Sequence, residues 1–359
     1  MKIGVLGAGQ LGRMLGLAGI PMGHEFVFFD DAREPCAAGL GQVKPLTWSR
    51  PIDLDVITYE FENIAAHLVF FQKYGVEIRP SVAALQVTSD RLAEKEMLAD
   101  FGIPTPKFRG FVEHRELATA LHELGYPAVA KTRRFGYDGK GQLWLRSPAD
   151  HSAASELAGE KPMILESVIP FDRELSLIAA RGVDGAIAAY PLVENHHRDG
   201  ILRLTVAPAT NLTQELQATA ESYARKILQH FDYVGVIAIE LFQVGDELLV
   251  NEIAPRVHNS GHWTIEGAET SQFENHIRAI TDMPLGSTLP RGYSAMINII
   301  GEQPDPAAVW AVPGAHYHVY GKSARPGRKI GHITVRADDR ETLTERVTEL
   351  RYNDMPTLP

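Results

Sequence analysis

Cysteine is nearly absent: Cys36 stands alone in 359 residues. One thiol excludes an internal disulfide and any multi-cysteine metal site. No run of eighteen apolar residues occurs, so no membrane-spanning helix is expected. The opening MKIGVLGAGQLGRMLG lacks a charged leader region and a small-residue cleavage site. That argues against a secretory signal, and a soluble cytoplasmic protein is the expectation. Positive charge is in deficit, with 35 Lys and Arg against 45 Asp and Glu, a formal net charge of −10. Broad contact with nucleic acid or an anionic membrane needs a basic surface and is disfavoured, although a local cationic pocket stays open. Glycine (31) and proline (22) are near average, which excludes collagen-like and disordered classes. Internal repeats, low-complexity tracts and heptad arrays are missing.

What is present is ordinary globular composition, 45% hydrophobic and 22% charged. At about 150 residues per domain the length implies two to three domains. Apolar runs at Lys2 to Leu6, Glu25 to Phe29, Val56 to Tyr59 and Val76 to Ile78 alternate with a helical spacing of Leu11, Leu15 and Ala18. This rhythm predicts an open parallel α/β sheet. A helix is expected over Arg91 to Ala99, capped by Ser89 or Asp90 and stopped by Phe101-Gly-Ile-Pro-Thr-Pro106. A domain boundary therefore falls near residues 80 to 106. Further strands are expected at Met163 to Leu165, Val234 to Leu241 and Glu247 to Ile253, with a helix-like segment at the end.

Gly7-Ala-Gly9-Gln10-Leu11-Gly12 follows a strand and precedes a helix, and Asp30 lies about twenty residues further on, as in a dinucleotide fingerprint. Three readings stay open for this segment: an NAD(P) site, a glycine turn that only packs helix on sheet, or a phosphate site for another substrate.

The runs ending in Glu240 and Glu252 flank Gly245-Asp246 and read as a hairpin. A three-residue loop, 245 to 247, would set Glu240 directly opposite Glu252, and a two-residue loop would put them on opposite faces. Like charges facing across a ladder are destabilising. A cation between them would relieve this, and oxygen ligands suit Mg²⁺. The alternative is solvent exposure or pairing with arginine. Lys131 ends the apolar run Ala128-Val-Ala, and Phe135-Gly136-Tyr137-Asp138-Gly139-Lys140-Gly141-Gln142 follows. This loop could fold its N–H groups over polyphosphate, or it could be an ordinary turn. It is not a Walker A motif.

Together these elements resemble the ATP-grasp superfamily, and within it the 5-(carboxyamino)imidazole ribonucleotide synthetase family. The resemblance covers about residues 1 to 335 and rests on seven motifs in the family's order. They are GAGQLGRML from Gly7, TYEFENI from Thr58, SDR from Ser89, FGYDGKGQ from Phe135, HRDGILR from His197, NEIAPRVHNSGHWT from Asn251 and RPGRKIGH from Arg325. It implies an ATP-grasp fold, α/β in part and α+β overall. A Rossmann-like parallel-sheet domain would span 1–90, a small ATP-grasp subdomain 91–170, a large one 171–300 and a small C-terminal domain 301–359. The implied reaction joins ATP, bicarbonate and 5-aminoimidazole ribonucleotide through carboxyphosphate, in purine biosynthesis, with Mg²⁺ and in a homodimer.

The resemblance also implies site roles. Arg91, Lys131 and the loop Gly136, Tyr137, Asp138, Gly139, Lys140, Gly141 and Gln142 would contact ATP. Glu166, Ser167, Val168 and Ile169 would form the hinge strand holding adenine, with Glu174 on the ribose and His197 near the nucleotide. Glu240 and Glu252 would ligate Mg²⁺ beside Asn251. Gln10, Leu11, Glu60, Tyr137, Asp138, Lys322, Arg325, Arg328 and Lys329 would bind the ribonucleotide, the last four as a phosphate site. Arg256 would clamp bicarbonate or carboxyphosphate, with His258 and Asn259 as catalytic companions in the polar loop that runs on through Ser260, Gly261 and His262. Arg256 could equally pair with Glu240 or Glu252. Ala254, where many ATP-grasp ligases carry asparagine, disfavours a peptide-type ligase. The run Val257 to Trp263 fits the carboxylase better than the formate-using transformylase. An NAD(P) oxidoreductase and a non-catalytic nucleotide module are the rivals from other classes.

Overall fold

The first strands, β1 (Lys2–Leu6), β2 (Glu25–Phe29), β3 (Gln42–Lys44), β4 (Val56–Tyr59) and β5 (Glu77–Ile78), form a parallel sheet in the order β3-β2-β1-β4-β5. The fold is that of a computed structural model, which describes residues 1–50, 52–136, 141–159, 161–350 and 358. β1, central and nearly wholly buried, reads as an unbroken apolar run because both faces are covered. Helix α1 (Gln10–Gly19) starts directly after the glycine turn; α2 (Ala65–Lys73) and α3 (Val82–Thr88) complete this layer. The α/β reading of the N-terminal part holds to the residue for three of the strands.

Helix α4 (Arg91–Asp100) follows with Asp90 as its cap, the carboxylate accepting the Leu92 N–H at 3.1 Å. Next comes a small antiparallel sheet, β6 (Phe108–Phe111), β7 (Ala128–Thr132), β8 (Gln142–Leu145) and β9 (Met163–Ser167), ordered β6-β9-β7-β8, with α5 (His114–Leu124) and α6 (His151–Ala158). It has its own core, built on Leu117, Leu121, Ala130 and Leu165.

The largest layer is a nine-stranded sheet. Its members are β10 (Arg173–Arg181), β11 (Ile187–Ala189), β12 (Val193–Arg198), β13 (Ile201–Ala207), β14 (Gly235–Val244), β15 (Glu247–Ala254), β16 (Tyr293–Ile300), β17 (Ala315–Val319) and β18 (Lys329–Ala337). The order is β15-β14-β10-β12-β13-β16-β18-β17, with β11 beside β10. The sheet runs across position 300 without a break, because β16 pairs with β18. Helix α7 (Gln214–His230) covers one face over an apolar cluster that includes Leu177, Ile227 and Ile239. The short α8 (Thr264–Gly267) and α9 (Gln272–Ile280) cover the other, while α10 (Pro306–Trp310) and α11 (Arg340–Glu349) flank the C-terminal strands. A single core joins β1 and α1 to Phe273, Ile277, Ile178 and Met296, so the N-terminal domain is welded to the large sheet. His276 reinforces the seam: its Nδ1 accepts the Val236 N–H at 3.1 Å, and its Nε2 bonds Thr58 Oγ1 at 2.8 Å.

Candidate active site

The β14–β15 hairpin sets two carboxylates face to face by a route the sequence reading did not foresee. Its loop is Gly245-Asp246, two residues, since Val244 pairs with Glu247. By register alone that would place Asn251 opposite Glu240. A bulge intervenes: Leu241 pairs with Val250 and Glu240 with Glu252, so Asn251 is the extra residue. Of the two loop lengths left open, the two-residue one is present, yet the carboxylates still face each other. The bulge restores the face that the short turn would have reversed.

Glu240 is mostly covered, its side chain 16% exposed, and Glu252 is half open at 47%. Burial, with Glu252 second, pushes the Glu240 carboxyl up to about 7. Among the described residues the pair lacks a compensating lysine or arginine at contact distance: Arg91 reaches Glu252 only at 3.9 Å. Glu240 is met by His258 Nε2 at 3.2 Å. His258 Nδ1 accepts the Ser260 N–H at 3.3 Å and caps the short turn Asn259–Gly261, so Nε2 carries the proton of the neutral ring. Burial, aided by Arg256 and Lys329, holds His258 well below its ordinary value. Arg91 at the edge of ion-pair range, and His197 and Lys329 acting on Glu240, leave the Glu240 carboxyl still raised, and the pair's all-oxygen donor set suits Mg²⁺.

Arg256 does not pair with Glu240 or Glu252. Its guanidinium bonds Glu62 at 3.0 Å and donates to the Val257 carbonyl at 3.1 Å, while Nε is buried without a partner among the described residues. The loop after it is rigidly held. Gln272, buried, accepts the His258 N–H at 2.9 Å and donates to the His258 carbonyl at 2.6 Å. It lies where a side chain at Gly261 would stand, its amide within 2.6–2.8 Å of that position. Asn259 and Asn298 exchange reciprocal amide bonds of 3.0 and 2.7 Å. Glu62, Gln272 and Asn298 had no expected role, although Glu62 lies inside a recognised motif.

On the small sheet, Lys131 on β7 bonds Glu166 on β9 at 2.8 Å. Burial favours the neutral form of Glu166, but Lys131, Lys95 and Arg91 outweigh it and hold the carboxyl below its usual range. Arg91, at the start of α4, donates to the carbonyls of Thr132 at 3.0 Å and Gly136 at 2.9 Å. Gly141 and Gln142 close the far side of this loop, Thr132 N–H bonding the Gly141 carbonyl at 2.9 Å. Tyr137, Asp138, Gly139 and Lys140 lie outside the described residues. In the crossing to the large sheet, the Ser167 and Val168 N–H groups bond the Lys107 and Pro127 carbonyls. An adenine edge read there would fall to the carbonyl oxygens and to Ile169. Glu174 and His197 meet at 2.8 Å. Burial opposes the charge on His197, but Glu174 and Glu240 outweigh it and raise its pKa.

The glycine turn is already filled by the protein's own carboxylates. Glu60 accepts the N–H groups of Gly9 and Gly12, the latter at 2.6 Å, and Asp30 accepts the Ala8 N–H at 2.7 Å. A side chain at Gly7 or Gly9 would collide with Glu60. The donors that would hold a pyrophosphate, and the acid that would hold a ribose hydroxyl of NAD, are thus both engaged. The dinucleotide reading fails on this geometry. Gln10 instead accepts a bond from Lys322, and Leu11 is buried in the core. The basic segment reaches from this turn towards the carboxylates, with Lys322 influencing Glu60 and Lys329 influencing Glu240 and His197. Arg328 donates to Ser323, and Arg325 is exposed at the tip of the turn.

Three family models match successive parts of the chain. A ribonucleotide synthetase preATP-grasp domain family matches residues 1–89, the ATP-grasp domain family residues 96–273, and a phosphoribosylaminoimidazole carboxylase C-terminal domain family residues 294–346. Fold and site define the class, a ribonucleotide synthetase built on the ATP-grasp fold. The chain is 50% identical over 357 residues to N5-carboxyaminoimidazole ribonucleotide synthase of Pseudomonas aeruginosa, covering 98% of each chain. It is 40% identical to the Escherichia coli enzyme of that name, covering 100% of this chain and 95% of the other. The crystal structure of N5-carboxyaminoimidazole ribonucleotide synthetase from Thermus thermophilus superposes with a TM-score of 0.93 at 48% identity, covering 99% of both. The Aspergillus clavatus synthase, solved with ADP and 5-aminoimidazole ribonucleotide, gives 0.89 at 33% identity over 97% of both. The chain belongs to the N5-carboxyaminoimidazole ribonucleotide synthase family.

Proposed function

We infer that the chain is an ATP-dependent carbon–nitrogen ligase that carboxylates the amino group of 5-aminoimidazole ribonucleotide in purine biosynthesis. The finer reading is that bicarbonate supplies the carboxyl group, that Mg²⁺ serves ATP, and that two copies work together in the cytoplasm. The observation that carries it is convergence. Arg91 lies 3.9 Å from Glu252 and influences Glu166, which bonds Lys131, while His258 meets Glu240 at 3.2 Å and feels both Arg256 and Lys329.

Bicarbonate is a poor electrophile. Transfer of the ATP γ-phosphoryl group to a bicarbonate oxygen gives carboxyphosphate and ADP. Attack of the substrate amine on its carbon forms the C–N bond and expels phosphate, and the amine loses a proton. Catalysis of this kind is mostly positioning and charge neutralisation. Mg²⁺ held by Glu240 and Glu252 would neutralise charge on the phosphate oxygens. Lys131 and Arg91 offer cations to the triphosphate. Arg256, whose buried Nε has no acceptor among the described residues, is the anion clamp, and Glu62 fixes its plane. His258 donates to Glu240 and so cannot serve as a base from that nitrogen. Its assigned part is to orient the carboxylate. Asn259 is held by Asn298 and presents the loop to the anion. Glu60, filling the glycine turn, leaves the ribonucleotide phosphate to Lys322, Arg325, Arg328 and Lys329, with ribose beside Gln10.

ADP release with each substrate omitted in turn tests the reading. Full ATPase rate should require the aminoimidazole ribonucleotide, and carboxylated product should require bicarbonate. Stimulation by glycinamide ribonucleotide with formate would point to the transformylase instead.

A further inference from the structure

Edge strand β15 carries Glu252, and its outer side has no neighbouring strand among the described residues. Backbone groups there still need partners, because the strand is covered rather than open to water. One face of α4 supplies them. Lys95, with 0% of its surface exposed, donates from Nζ to the Val250 carbonyl at 3.1 Å and to the Asn251 carbonyl at 2.7 Å. Glu94, 2% exposed, accepts the Ile253 N–H at 3.1 Å. The Pro104 carbonyl takes the Val250 N–H at 2.8 Å. These contacts bracket Glu252 on both sides and fall on the bulge itself, where the ladder to β14 is interrupted.

A buried amine and a buried carboxyl group on adjacent residues are costly placements that an apolar helix face would avoid. Ordinary packing needs neither group. Edge coverage alone could be met by a neutral side chain or another strand. An amine donor gripping two successive carbonyls suits a strand whose local path is irregular. Arg91, one turn earlier on the same face, reaches Glu252 at 3.9 Å and bonds the Thr132 and Gly136 carbonyls at the root of the glycine loop. The face therefore ties the carboxylate strand to the base of the nucleotide-covering loop.

We propose that Glu94 and Lys95 are positioning residues for the metal: they act as a substitute strand that fixes the Asn251 bulge and so keeps Glu252 opposite Glu240. This rests on the reading of those two carboxylates as the Mg²⁺ ligands. Neither residue touches substrate; their effect passes through the backbone of β15. Supporting groups behind metal ligands characteristically alter metal affinity more than they alter anything else in a site.

Calorimetric titration of ADP into the full chain at a series of Mg²⁺ concentrations separates the two claims. Lys95→Met keeps the aliphatic stem and removes the donor. It should raise the Mg²⁺ concentration needed for half-maximal tightening of ADP by about 10–100-fold, with a much smaller change in metal-free ADP affinity. Glu94→Gln, which can still accept the Ile253 N–H, should stay close to the parent, and Glu94→Ala should follow Lys95→Met. Glu252→Gln is the control for the underlying reading. If it leaves the Mg²⁺ dependence intact, the carboxylate assignment itself is wrong. If it abolishes the dependence while Lys95→Met and Glu94→Ala leave it unchanged, the carboxylate assignment stands and the positioning proposal falls. Circular dichroism establishes folding. Should Lys95→Met not fold, Glu94→Ala decides; failure of both to fold would make the pair a folding element and overturn the proposal.

Discussion

Glu240 and Glu252 face each other because Asn251 bulges out of β15, not because the hairpin turn is three residues long. The chemistry of the site thus hangs on one inserted residue. Removing either carboxylate should remove turnover without unfolding the chain. Glu252→Gln, at a half-open position, should lower kcat by about 10²-fold or more and leave the thermal midpoint within a few degrees. Glu240→Gln should do the same in activity and should not lower stability, since it removes a buried charge repelled by its neighbour. Steady-state kinetics with Mg²⁺ and a melting curve check both.

Arg256 should govern the anion and not the nucleotide. Its guanidinium is shared between Glu62 and Val257, with Nε left over. Lysine at this position has no fork to satisfy Glu62 and an anion together. Arg256→Lys is expected to raise the KM for bicarbonate by about tenfold or more with the KM for ATP little changed, measured by initial rates against each substrate. An equal rise in both would move the clamp elsewhere.

The basic segment predicts a different split. Lys329→Met should raise the KM for the ribonucleotide by about tenfold and raise that for ATP less. Initial-rate measurements with each substrate varied distinguish the outcomes. An ATP effect equal to or larger than the ribonucleotide effect would place the phosphate outside this turn.

Acid stability should depend on His276. Its Nδ1 bond requires the neutral ring, since Nδ1 accepts the Val236 N–H, and Nε2 then carries the proton and donates to Thr58 Oγ1. Burial lowers its pKa from the ordinary 6.5 to about 3. The folded-state value lies below the unfolded one, so the unfolded chain takes up the proton first as pH falls. The contribution is complete above pH 6.5 and is lost progressively towards pH 3, about 5 kcal/mol at full extent. His276→Asn keeps an acceptor near Val236 but cannot be protonated. Chemical denaturation across pH 4 to 7 should show a shallower fall in stability for the variant than for the parent. Identical slopes would assign the acid sensitivity to the other buried histidines, His258, His262 and His332.

Much of this was legible beforehand, for definite physical reasons. The β1, β2 and β4 runs are apolar because both faces of a parallel sheet are covered, which gives sharp boundaries. Ser89-Asp90 before Arg91 marked the helix start, and of the two the structure uses Asp90, whose carboxylate also pairs with Arg133 and Arg134. The bulge at Asn251 was not legible, because a bulge and a longer turn shift register equally and only the ladder distinguishes them. Glu60 in the glycine turn was equally hidden: its contacts to Gly9 and Gly12 span some fifty positions of chain. Lys95 left a trace that could have been followed. Arg91, Glu94, Lys95 and Leu98 share one helical face, and Leu98 is a core residue, so charges beside it had to be buried and partnered.

The most direct test of the central claim is a crystal structure of the chain with Mg²⁺, ADP and the aminoimidazole ribonucleotide. The account predicts metal within about 2.0–2.1 Å of carboxylate oxygens of both Glu240 and Glu252, with ADP phosphates on its other side. Metal bound to the phosphates alone, with Glu240 still held by His258 and Glu252 turned to solvent, would contradict it.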